Sequence, residues 1–80
     1  MNDNRELTLG EKRVGYNFNP SENMTVKETK RTYADEIDRL EALRMTINDI
    51  PASVERQRTI SRSQTHAEDA CMLAVKCIFQ

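Results

Sequence analysis

Much of what a small enzyme needs is scarce or missing in this chain of 80 residues. It has two glycines, Gly10 and Gly15, so there is no glycine-rich loop to cradle a phosphate. Histidine occurs once, at His66, and cysteine twice, at Cys71 and Cys77, so a His/Cys zinc site would need several chains. Six residues apart on a helix, the two cysteines point in different directions and do not favour an intrachain disulfide. Buried, reduced thiols are the expectation for both. No apolar run reaches the length of a membrane span. The opening MNDNRELTLG has no apolar signal-peptide core, so a cytoplasmic location is expected. No pair of carboxylates stands alone in an apolar setting, as glycoside hydrolysis requires. No serine, histidine and acid arrangement stands out beyond chance, and Thr65-His66-Ala67-Glu68 on one exposed turn is a weak signal. A net charge of -1 lacks the basic footprint of a general nucleic-acid binder. A few local lysines still suffice for a small anionic ligand. The expectations are therefore no catalysis, no cofactor, no metal, no DNA and no membrane, which leaves binding or scaffolding.

What is present is helical pattern. Hydrophobic residues make up 38% and charged residues 31%, enough for one small domain, of a size that often needs help from a disulfide, a metal or a partner chain. Tyr33, Ile37, Leu40, Leu43 and Ile47 recur at helical spacing, and Ala34 and Met45 widen the stripe. This predicts a helix over 20–48. Asn19 would be its cap, Pro20 its first residue and Glu22 the partner in a capping box. Pro51 interrupts the pattern and defines a break over 49–53, with Ser53 or Asp49 as the cap of the next helix. That second helix is predicted over 54–78. Ile60, Gln64, Ala67, Cys71, Ala74 and Ile78 form a coiled-coil-like seam on it. Met72, Val75 and Phe79 make a second stripe that one hairpin partner cannot cover. The short connection sets the two helices antiparallel. The fold class is all-α: a short N-terminal arm, 1–19, and a long antiparallel hairpin, assembled into a homo-oligomeric helical bundle.

Within the arm, Leu7 and Leu9 are apolar anchors, and Thr8-Leu9-Gly10-Glu11 reads either as a capped helical turn or as loose chain. Gly15 permits a turn or a close backbone approach. If Gly15 to Phe18 is extended, Tyr16 and Phe18 point the same way. Lys27, Lys30 and Arg31 lie just beyond. A ring, an amide and a basic cluster suit a nucleotide phosphate ligand. They equally suit an arm packed on the helices, with an ordinary solvated basic face behind it.

Two stretches together resemble a known family. Arg13-Val14-Gly15-Tyr16-Asn17-Phe18-Asn19-Pro20-Ser21 with Lys30, and the run from Thr65 to Lys76, are similar to the anti-CBASS sponges of tailed phages. The resemblance covers both ends of the chain and leaves the middle unassigned. Leu73 departs from it, since the family pattern places a tryptophan there. The resemblance implies a non-catalytic homohexamer in the cytoplasm of the infected bacterial host. Such a protein sequesters cyclic dinucleotides such as 3′,3′-cGAMP, and cyclic trinucleotides at separate pockets, so that the messenger never activates its effector. It implies Tyr16 as the base-stacking ring, and Lys30, or Arg31 one residue on, as the phosphate contact. For the trinucleotide it implies Asn17, Arg62 and Thr65 or His66. A structural or regulatory phage protein acting through protein–protein contacts is the alternative, and a small hydrolase a further rival.

Overall fold

The computed structural model describes residues 6–19, 22–45 and 53–80. It shows three helices in chain order: α1 (Leu9–Val14), α2 (Met24–Ala42) and α3 (Val54–Ile78). Helices α2 and α3 lie antiparallel, and α1 packs against them, mostly on α2. The result is a flat body of 44 × 32 × 14 Å.

The arm thus contains a true helical turn. Thr8 Oγ1 accepts from the Glu11 N–H at 3.1 Å, and Glu11 Oε1 accepts from the Thr8 N–H at 2.9 Å, a reciprocal capping box. Gly15 ends the helix at φ 63°, where a side chain would be strained, and the Tyr16 N–H reaches back to the Glu11 carbonyl. At Gly10 the backbone of α1 comes close to that of α2. The Gly10 N–H donates to Asp38 Oδ1 at 2.8 Å. A Cβ there would stand 2.1 Å from the Ala34 carbonyl oxygen. Leu7 is half-buried, whereas Leu9 is exposed on the protomer.

Helix α2 is shorter than its apolar pattern predicts. Its cap is Asn23, whose side chain accepts from Thr25 N and Val26 N. Asn19 does not cap it: the Asn19 amide brackets Asn23, donating to its carbonyl and accepting from its N–H. Glu22 has φ 52° and lies outside the helix, so it cannot sit at the third position of a capping box with Asn19. At the other end the hydrogen bonds tighten to three-residue spacing, from Leu43 to Leu40, Arg44 to Glu41 and Met45 to Ala42. The helix stops at Ala42 rather than Asn48. Ile47, Pro51 and the predicted break other than Ser53 lie outside the described residues, as do Pro20 and Ser21. Ile37 and Ala34 are fully buried and Tyr33, Leu40 and Leu43 half-buried, as the stripe requires. Met24 and Met45 are exposed, so Met45 does not widen the stripe on the protomer.

Helix α3 has the bounds its sequence predicts, and Ser53 caps it by accepting from Arg56 N. The seam is buried at Ile60, Gln64 and Cys71 and half-buried at Ala67, Ala74 and Ile78. Gln64 replaces an apolar residue in mid-seam and is fully satisfied there. Its amide donates to the Ile37 carbonyl at 3.2 Å and to Glu41 Oε1 at 3.0 Å, and its Oε1 accepts from Arg44 at 2.9 Å. Arg44 also donates to Glu41, Gln57 and Ser61, so a polar network closes that end of the hairpin. Cys71 is buried and Cys77 exposed, which corrects the expectation of two buried thiols; both are free. Among the described residues no helix is long and apolar enough to cross a membrane.

Candidate functional site: the Tyr16–Arg31 groove

Residues 15–17 form a turn, so Tyr16 and Phe18 are not on one face of an extended strand. Each ring meets a different cation. The Arg31 guanidinium lies over the Tyr16 ring, 4.8 Å from its centroid. Lys30 Nζ lies 5.7 Å from the Phe18 centroid. Tyr16 and Arg31, with Met24, Lys27, Glu28 and Thr32, line an open groove of about 350 Å³ on the outer face of α2.

Arg31 is held from two sides. Its Nη1 donates to Glu11 Oε2 at 2.7 Å. Its Nε and Nη2 lie 2.9 and 2.7 Å from Asp35 Oδ1, one turn further along α2. Glu11, with 1% of its surface exposed, is a buried carboxylate with the capping N–H on one oxygen and the guanidinium on the other. These contacts, Glu11 first and then Asp35, raise the Arg31 pKa further above its already high value against the opposing effect of desolvation.

Lys30, the neighbour of Arg31, points elsewhere. It is 7% exposed. Its ammonium donates to the carbonyls of Gly15 (2.9 Å) and Phe18, the two residues that bracket the turn carrying Tyr16. It borders a second, larger groove of about 450 Å³ between α1 and α3, with Arg13, Val14, Glu68, Asp69, Cys71, Met72 and Val75. Tyr16 and Arg31 therefore share one groove and Lys30 lines another.

A third groove, about 270 Å³, is formed on α3 by Ser61, Arg62, Thr65 and His66. The resemblance-based trinucleotide residues of α3 thus come together. Asn17 is exposed and lines none of these three grooves. Arg13 ties α1 to this part of α3, donating to Glu68 Oε1 at 3.0 Å and Thr65 Oγ1 at 3.4 Å.

Sequence reasoning misses Glu11 and Asp35 as partners of Arg31. The Thr8-x-x-Glu11 spacing carries the signal for Glu11, and the i,i+4 spacing of Arg31 and Asp35 carries the other. No family model matches the chain, and neither a curated protein nor a solved structure matches it. Among the described residues no cluster of His, Cys, Asp and Glu has the makings of a metal site.

Proposed function

We propose that the protein is a non-catalytic sponge for cyclic dinucleotides, one that blocks CBASS immunity in the cytoplasm of an infected bacterium. The observation that carries this is the Tyr16 ring and the Arg31 guanidinium meeting at 4.8 Å in an open groove that Lys27 also lines. A π-face takes a base with little sequence preference, and a guanidinium takes a phosphate diester through paired N–H donors. In this proposal Arg31 fills the phosphate role and Lys30 holds the turn that presents Tyr16. Cyclic trinucleotides would bind separately at Arg62, Thr65 and His66, with Asn17 supplied by the turn of another copy. The working form would be a homohexamer. The apolar surface left open at Met72 and Phe79, 66% and 60% exposed, supports assembly of some kind.

Incubation with labelled 3′,3′-cGAMP, followed by denaturation, is the test. Recovery of intact ligand is expected. A cleaved product would make the protein a hydrolase. No retention at all would leave a protein–protein role, which the exposed Met72, Leu73 and Phe79 also favour. Tyr16→Ala should weaken dinucleotide binding by about 1–3 kcal/mol, of order tenfold to a hundredfold. Arg31→Ala should do comparable damage, and Arg62→Ala should affect only the trinucleotide. Calorimetric titration with both ligands reads each effect, and unchanged dinucleotide affinity in both Tyr16→Ala and Arg31→Ala would overturn the site.

A further inference from the structure

We infer that the two carboxylates on Arg31 act in opposite senses: buried Glu11 is a positioning residue that fixes the guanidinium over Tyr16, and exposed Asp35 is an internal competitor covering the edge where a phosphate diester binds. The inference rests on the cyclic-dinucleotide site proposed above.

The geometry divides the guanidinium between them. Nη1 is given to Glu11. The Nε/Nη2 edge, a paired set of donors that matches two phosphate oxygens, is given to Asp35. Burial then decides which partner stays. Glu11 is 1% exposed and its other oxygen accepts from the Thr8 N–H, so parting from Arg31 would remove a charge-assisted hydrogen bond at a place water does not reach to replace it. Asp35 is 64% exposed on its side chain and pairs with Arg31 across one helical turn. Such a pair is weak, and the released carboxylate is readily hydrated. Charge points the same way. With Asp35 in place, Arg31 faces two carboxylates, and an incoming diester adds a third negative group at the same edge. Exchange of Asp35 for phosphate replaces the Nε hydrogen bond and the Nη2 ion-pair contact, both now made to the one oxygen Oδ1, with donors to two phosphate oxygens, while Glu11 keeps the guanidinium against the ring.

Calorimetric titration of the full-length protein with 3′,3′-cGAMP tests this through the sign of each effect. Asp35→Asn should tighten binding about twofold to fivefold, since an exposed competing pair and a repelling charge are removed together. Glu11→Gln should weaken it roughly tenfold, as loss of a charge-assisted hydrogen bond to the binding group. Thr8→Ala breaks the capping box without touching Arg31. It should lower the melting temperature and leave affinity within about twofold. Without ligand, the ring-current shift of the Arg31 side-chain protons should persist in Asp35→Asn and fall away in Glu11→Gln. Weaker binding by Asp35→Asn would overturn the inference. So would an unchanged affinity and ring-current shift in Glu11→Gln, or a loss in Thr8→Ala equal to that in Glu11→Gln. Should the wild-type protein and every variant ignore the dinucleotide, the proposed function fails. The carboxylate roles are then judged by dimethyl phosphate titration of the Arg31 signals, and they fail too unless Asp35→Asn responds at lower concentration than wild type.

Discussion

Gly10 has little freedom to change. A methyl group at this position meets backbone, the Ala34 carbonyl, and backbone cannot step aside as a long side chain can. Gly10→Ala should therefore lift α1 from α2, lose the bond to Asp38 and cost about 1–3 kcal/mol, the usual penalty for overpacking. Thermal unfolding compared with wild type checks it, and an unchanged melting temperature would mean that α1 contributes nothing to the fold. The cysteines offer a second measurement. Burial pushes the Cys71 thiol pKa up and shields it, while Cys77 stands exposed. A thiol reagent under native conditions should label Cys77 quickly and Cys71 only after unfolding, with mass spectrometry locating the label. Rapid labelling of Cys71 would contradict the packing of the seam.

At the scale of the element, the three helices were not equally legible. Helix α3 could be read end to end because its seam repeats at four and three and Ser53 is a strong cap, both local signals. The start of α2 misled because Asn19-Pro20-Ser21-Glu22 offers a better local cap than the one used. Asn23 is used instead through a local bracket four residues long: the Asn19 side chain bonds the Asn23 backbone and so does not cap the helix itself. The end of α2 misled because apolar periodicity continues through Met45 and Ile47 while Arg44 turns toward Gln57, Ser61 and Gln64 of the facing helix. Of the candidate site, the residue types were legible and their grouping was not. A difference of one position, about 100° around a helix, separates Lys30 in one groove from Arg31 in another. The Arg44 network has a pH signature of its own. Hydrogen bonds from Gln64 and then Arg44 hold the Glu41 carboxyl below the usual glutamate value. A depressed folded pKa contributes stability that is complete above the unfolded value of about 4.3 and is lost as pH falls through the lower folded value. Glu41→Gln should thus lower the melting temperature at neutral pH, with the gap to wild type closing in that acid window. A gap independent of pH would remove the carboxylate from the network's energetics.

At the scale of the whole molecule, α3 carries an apolar stripe at its C-terminal end that runs from the groove it shares with α1 and stays exposed on the single chain. Met72 and Phe79 face outward at the C-terminal end of the helix, seven residues apart on one stripe with Val75 between them. If copies associate through this face, as proposed, a charge placed there should break the assembly and spare the protomer. Met72→Glu should sediment as a smaller species than wild type with undiminished helical circular dichroism. An unchanged sedimentation coefficient would exclude this stripe from the interface. The same flatness carries a thermodynamic corollary. A body 14 Å thin has little interior to hydrate when it melts. The heat-capacity increment of an isolated chain, which scales with newly wetted apolar surface, should fall below the roughly 12–15 cal/mol/K per residue of ordinary domains. Its stability curve would be correspondingly shallow, and calorimetry of dilute protein would meet a broad dome rather than a sharp optimum.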